Sequence, residues 1–136
     1  MPTYVRLRVA GEAYAIPVGQ VLEVADPGEV VAVPRAPREV TGVRNLRGRL
    51  LPVVDLARVL GVEPTAPARR LLVADVDGQQ AGLLADEVSG VAELAGATED
   101  TESELLQGAV LADGELIGLL DLAAILRLLA PAGEPP

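Results

Sequence analysis

The stretch GVRNLRGRLLPVVDLARVLG, residues 42–61, decides the fold. It predicts a strand, a tight Arg47-Gly48 turn, a second apolar strand and a short capped helix. Gly48 supplies the positive φ that a two-residue hairpin requires. Leu50–Val54 is apolar but interrupted by Pro52, which lacks an N–H for a ladder, so this strand should run along an edge or carry a bulge there. Leu50 is assigned to the core. Asp55 stands where an N-cap belongs, Leu56, Val59 and Leu60 share one helical face, and Gly61 is a C-terminal stop. Two polar residues in this apolar stretch, Asn45 and Arg47, have no evident place in such a scheme. They could be ordinary turn residues or a recognition site.

Outward from this stretch the chain is built of short strands and glycine turns. Tyr4–Val9 alternates, with Val5, Leu7 and Val9 on one face and Arg6 and Arg8 on the other, which predicts a half-buried strand. Gly11 turns it into a strand over Ala13–Val18. Gln20–Ala25 and Val30–Val33 are brief strands separated by the Asp26-Pro27-Gly28 loop. Glu63–Ala68, with two prolines, reads as a connector. Leu71–Val76 and Gln79–Ala85 flank an Asp77-Gly78 hairpin signal, and Val88–Leu94 is a further strand. Ala97–Glu104 is an acidic loop, with Thr101 and Glu104 spaced as in a capping box. Gly108–Ala112 and Glu115–Leu120 form the last hairpin about Asp113-Gly114. Asp121 caps a helix striped by Leu122, Ile125, Leu126 and Leu129. The tail, 131–136, is expected to fray.

An internal repeat organises these pieces. A shift of 67 lays Tyr4–Val24 on Leu71–Val91, and a shift of 66 lays Gly42–Leu60 on Gly108–Leu126. Gly11 meets Gly78, Gly48 meets Gly114, Leu50 meets Leu116, and Asp-Leu-Ala at 55–57 meets the same triplet at 121–123. The chain is therefore a duplicated unit of about five short strands with a small terminal helix. Each unit is too small to bury much surface alone, so the two should share an apolar seam. Features kept in both copies serve the fold. Asn45 and Arg47 become Leu111 and Asp113, and Glu23 becomes Gly90, so these three are the better candidates for recognition.

Composition excludes much chemistry. Of 136 residues half are hydrophobic, but aromatics are limited to Tyr4 and Tyr14, so the core must be Val, Leu, Ile and Ala. Cysteine, histidine and lysine are absent, and all eleven basic residues are arginine. That removes disulfides, the usual zinc sites, imidazole bases, Schiff-base chemistry and the phosphate-loop lysine. No metal, cofactor or catalytic activity is expected. A carboxylate hydrolase on Asp55, Asp75 or Asp86 is the remaining enzymatic reading, and Asp55 is better used as a cap. The net charge of −9 is uneven: residues 1–66 carry eight Arg against seven acids, and 67–136 carry three against thirteen. Acidity opposes nucleic-acid binding despite the arginines of 35–49, leaving that as a remote alternative. No apolar run approaches the ~20 residues that cross a bilayer, and no leader precedes Tyr4, which gives a cytoplasmic expectation.

GVRNLRGRLLPVVDLARVLG resembles the signature of CheW-like domains, in which Gly-Val, an Asn-Leu-Arg-Gly turn and Pro-x-x-Asp-Leu follow in order. EAYAIPVGQVLEV resembles that family's second strand and connecting turn, and GLLADEVSGVAEL the matching segment of its second half. The likeness covers residues 3–129, with departures at Glu39 and Arg44. It implies a mainly β fold of two tandem five-stranded SH3-like barrels on a common hydrophobic core, with short helices including a C-terminal one. Residues 1–136 would form one domain, with subdomains at about 3–62 and 69–130 and the chain free to cross between barrels. It further implies a non-catalytic adaptor coupling chemoreceptors (methyl-accepting chemotaxis proteins) to a CheA-type histidine kinase. That adaptor would be cytoplasmic, recruited to membrane receptor arrays and able to meet homologues in rings; a twitching or other array is the alternative. By resemblance the receptor's helical tip would contact Val18, Val21, Glu23, Asn45 and Arg47, with Glu23 pairing Arg47. The kinase's CheW-like regulatory domain would contact Val24, Val30 and Gly42.

Overall fold

The computed structural model describes residues 2–95 and 103–129. The acidic stretch at 97–102, with its capping-box threonine, and the tail at 131–136 lie outside them. Eleven strands follow in order: β1 (Thr3–Val9), β2 (Glu12–Pro17), β3 (Val21–Ala25), β4 (Val30–Val31), β5 (Val40–Leu46), β6 (Arg49–Asp55), β7 (Arg70–Val76), β8 (Gln79–Ala85), β9 (Glu87–Glu93), β10 (Leu106–Ala112) and β11 (Glu115–Leu120). A 3₁₀ turn, Val18–Gln20, precedes β3; the helix α1 (Leu56–Leu60) follows β6, and α2 (Leu122–Arg127) follows β11.

Each two-residue turn places both central residues at positive φ. Arg47 and Gly48 lie at 51° and 87°, Asp113 and Gly114 at 53° and 75°, and Ala10-Gly11 and Asp77-Gly78 behave alike. This geometry matches the right-handed twist of the flanking strands. Asn45 Oδ1 accepts from the Gly48 N–H at 2.9 Å, as Asp75 Oδ1 does from Gly78 at 3.0 Å. Asn45 therefore holds its own turn, whatever else it does. Asp55 and Asp121 cap the two helices, accepting from Ala57 and Ala124 at 3.1 Å. Gly61 ends α1 in the left-handed region.

The strands form two sheets, ordered β10-β11-β2-β1-β9 and β3-β7-β8-β6-β5-β4. The second has a sixth strand only because β4 adds two residues. Each sheet takes strands from both copies of the repeat, through two equivalent parallel joints. β6 lies along β8 with Val53 opposite Gly82, and β11 lies along β2 with Leu119 opposite Ala15. The larger sheet closes on itself. β3 and β4 are its two edges, five interstrand spacings or ~24 Å apart if flat. Yet only residues 26–29 join them, a link that reaches about 18 Å at most, and an ion pair joins Glu23 on β3 to Arg47 beyond β5.

Closure gives the buried strands two apolar faces. Val5, Leu7 and Val9 of β1, Tyr14 and Ile16 of β2, Leu72 and Ala74 of β7, and Leu83 and Ala85 of β8 meet Leu56, Leu120, Leu122 and Ile125 in one core shared by both barrels. The opposite faces fill the barrels: Ala13, Ala15, Val110, Ile117 and Leu119 in one, and Leu46, Leu51 and Val73, with Val53, Leu71 and Leu84, in the other. The architecture is thus the mainly β, two-barrel arrangement expected from the sequence, with a shared hydrophobic core.

Two expectations for the opening stretch are corrected. Leu50 is 67% exposed, and its repeat mate Leu116 is 56% exposed. Strand alternation turns Leu51 and Val53 inward, so Leu50 faces out. β6 is also an interior strand with no bulge at Pro52. The proline is tolerated because the pairing to β8 starts only at Val53; the register irregularity lies in β5, between Val40 and Gly42.

Candidate functional site

The β5–β6 hairpin tip carries the candidate site. Its turn points Arg47 outward, and the guanidinium pairs with Glu23 on β3. Beneath the pair, Leu46, Leu51 and Val73 are buried as a small apolar floor. Arg47 keeps 65% of its side chain exposed, so the pairing positions the charge without hiding it. Arg49 donates to Gln80 at 2.6 Å, and Gln80 donates to Asp75 at 2.9 Å, bracing this tip against the β7–β8 hairpin. These bonds hold the Asp75 carboxyl below its ordinary pKa, the Gln80 bond first and the Gly78 N–H second.

The other residues singled out from the sequence fall in two groups, one on β3 and the turn before it and one where β4 meets β5. Val18 is exposed on the 3₁₀ turn and Val21 is half-buried against the shared core, so both adjoin Glu23 along the chain. Val24 is exposed further along β3. Val30 and Gly42 sit together where β4 covers β5: a Cβ at Gly42 would collide with the Val31 carbonyl and lie 3.0 Å from the Val30 side chain. Gly42 is thus buried, and shapes the β4 surface from below. Sequence reasoning missed Leu22, Val31, Val33 and Leu50, which expose large apolar side chains on this half of the molecule. Leu22 lies at the register irregularity between Val21 and Glu23, where it has no partner residue on β7, and a period-two pattern does not mark such a position.

Arg44 does not stand free on this surface. Arg44 folds over Gly28, its Nε donating to the Pro27 carbonyl at 2.9 Å and a terminal nitrogen to the Asn45 carbonyl. It fastens the 26–31 loop. Nor do the carboxylates assemble a catalytic group. Asp55 and Asp86 line a cavity of about 340 Å³ with Val9, Leu84 and the 64–68 connector. Asp55 caps α1, and Asp86 accepts from the Ala10 N–H at 2.7 Å. Among the described residues no three His, Cys, Asp or Glu side chains converge as metal ligands, and no helix is long and apolar enough to cross a membrane.

The repeat places a counterpart of this site on the other barrel. There the β10–β11 turn carries Asp113, 3.5 Å from Arg6 of β1, and Arg6 stands opposite Gly90, the repeat mate of Glu23. Arg8 makes two 2.8 Å bonds to Glu115. This fork holds the Glu115 carboxyl below its ordinary pKa.

Comparison with known proteins agrees with this architecture. A family model described as a CheW-like domain matches residues 3–130. A protein of Rhizobium etli named a probable chemotaxis protein CheW is 30% identical over 131 residues, 89% of this chain and 84% of its own. Protein FrzA of Myxococcus xanthus is 35% identical over 88% of this chain and 82% of its own. The crystal structure of the scaffolding protein TtCheW from Thermoanaerobacter tengcongensis superposes with a TM-score of 0.85 at 25% identity, covering 98% of this chain and 92% of that one.

Proposed function

The chain belongs to the CheW-like domain family, and from that premise we propose that it couples the cytoplasmic tips of chemoreceptors to a CheA-type histidine kinase. Its class follows from membership: a non-catalytic scaffold of the chemotaxis type. The finer reading rests on one observation. Arg47 is held outward by Glu23 on a rigid hairpin, and neither residue survives in the second copy of the repeat. An exposed charge over an apolar floor, with Val18 and Val21 on the turn and strand that lead to Glu23, suits a helical partner: apolar anchors supply affinity and the ion sets register. Asn45 contributes by fixing the turn and leaving its amide N–H groups outward. Val24 and the Val30–Gly42 step would take the kinase's CheW-like regulatory domain. On this reading the protein works in the cytoplasm and reaches the membrane only through its receptor.

The test is a ternary assembly of purified chain, receptor cytoplasmic hairpin and kinase, read by titration calorimetry and by kinase autophosphorylation. Arg47→Ala should weaken receptor or kinase binding about tenfold or more, while the folding free energy shifts by less than about 1 kcal/mol, as at exposed positions. Normal binding to both partners by that variant would remove Arg47 from the site. The same assembly with kinases from swimming and twitching systems would identify the array served.

A further inference from the structure

We propose that the Asp113-Gly114 turn is a site of spontaneous backbone modification, where Asp113 passes through a cyclic imide to isoaspartate. An aspartyl carboxyl next to glycine is open to attack by the glycine's own backbone nitrogen, because no Cβ shields that nitrogen. The Gly114 nitrogen forms a bond to Asp113 Cγ, the Cγ–OH bond breaks, and the amide proton leaves with that hydroxyl as water. Water then opens the five-membered ring at either carbonyl. Opening at the α-carbonyl carries the main chain through Cγ and leaves the former α-carboxylate as the side chain. Opening at Cγ restores aspartate.

The fold decides which turn reacts. The chain has two Asp-Gly pairs, Asp77-Gly78 and Asp113-Gly114, and its single asparagine, Asn45, precedes a leucine. Both pairs occupy exposed two-residue turns of one geometry, with the aspartates at φ 52° and 53°. They differ in the residue two places before the aspartate. Asp75 accepts from the Gly78 N–H at 3.0 Å, as Asn45 does from Gly48 at 2.9 Å. In the last hairpin that position is Leu111, which has no acceptor, and among the described residues no hydrogen bond reaches the Gly114 N–H. A nitrogen whose proton is held by a carboxylate must give up that bond before it attacks, and Gly114 has none to give up. The carboxyl is free as well. Asp113 exposes 86% of its side chain, and its Arg6 partner is at 3.5 Å, outside ordinary hydrogen-bond range.

The product falls on a structural joint. One added methylene lengthens a two-residue turn whose register, Ala112 opposite Glu115, sets the β10–β11 hairpin. Glu115 holds Arg8 by two 2.8 Å bonds, so the change strikes beside that fork. The matching tip of the first barrel carries Arg47 before its glycine and has no carboxyl to cyclise. Ageing is therefore written on one barrel only. It leaves an isoaspartyl α-carboxylate on an exposed turn, the group that S-adenosylmethionine-dependent isoaspartyl methyltransferases esterify.

The experiment is to hold the full chain at neutral pH for weeks, locating isoaspartate by electron-transfer fragmentation and counting it by methyl transfer from labelled S-adenosylmethionine. Isoaspartate should accumulate at 113 about tenfold faster than at 77, the factor that one hydrogen bond to a charged group supplies. Leu111 is 71% exposed, so Leu111→Asn suits the position. It installs the acceptor found at Asn45 and should slow the reaction at 113 about fivefold. Leu111→Val offers no acceptor and should leave that rate unchanged. Asp75→Ala should raise the rate at 77 to that at 113; thermal melts confirm folding, and Leu111→Asn decides alone if Asp75→Ala fails to fold. In the urea-unfolded chain the two sites should react alike, since both are Asp-Gly. Equal rates at 113 and 77 in the folded chain, a rate at 113 untouched by Leu111→Asn, or a difference that persists in urea would each overturn the proposal.

Discussion

Leu50 and Leu51 are adjacent, identical and opposite in fate. Leu51 is buried on the floor beneath the Arg47–Glu23 pair, and Leu50 points to solvent. Leu51→Ala should cost about 2–5 kcal/mol, as cavity-forming leucine truncations do, whereas Leu50→Ala should stay within about 0.5 kcal/mol; urea unfolding of both variants measures the contrast. A run of two leucines fits either face of a strand, and a one-residue slip of register exchanges them. That ambiguity is why sequence alone misplaced Leu50. Glu115 gives a second residue-level outcome. Its Arg8 fork depresses the folded carboxyl below the ordinary 4.5. Near that pH the unfolded chain therefore binds the proton first, and stability falls as pH drops from about 4.5 through the folded value. Glu115→Gln should flatten this acid limb while leaving the neutral-pH fold intact, as read from thermal melts between pH 3 and 7, spanning about that transition.

At the scale of elements, turns and caps were legible because their chemistry is local. Arg47-Gly48, Asp77-Gly78 and Asp113-Gly114 all form the expected hairpins, and Asp55 and Asp121 cap α1 and α2. Either cap changed to Ala should cost about 1 kcal/mol, with the double variant near the sum because the helices sit at separate repeat positions. β4 is a different case. Its two residues pair with Val43 and Arg44 only because Gly42 offers no side chain under Val31. Gly42→Ala should lift β4 from β5, visible as faster amide exchange at residues 30–31 and 43–44 with little change in the shared core. The same collision gives Gly42 a folding role, beside the partner contact that the resemblance implies.

For the whole molecule, the reciprocal joints matter most. β6 of the first copy lies along β8 of the second, and β11 of the second along β2 of the first. Each sheet is therefore incomplete without strands from the other half. Fragments 1–66 and 67–136 should each be unfolded alone and regain native circular dichroism when mixed. The intact chain should unfold in one transition, since Leu72, Leu83 and Leu120 belong to a core common to both barrels. A stably folded single half would contradict this account. The Glu23–Arg47 pair inherits the same dependence: Glu23 is anchored on β3, which among the described residues pairs with β7 of the other copy, so the Arg47 clamp needs both halves in place.

By itself the sequence determined what depends on neighbours within a few residues: the four-fold use of positive-φ turns, both helix caps, the alternation of β1, and the duplication that announces two packed units. It also singled out Glu23, Asn45 and Arg47 as polar residues not kept between the repeat copies, although Asn45 holds its own turn and Glu23 pairs with Arg47. Only the tertiary structure decided which leucine of a pair is buried, which strands exchange between halves, and how a folded sheet brings Glu23 to Arg47. Those depend on register and closure, where free energy comes from surfaces distant in the chain, and a period-two pattern carries no information about which partner strand it meets.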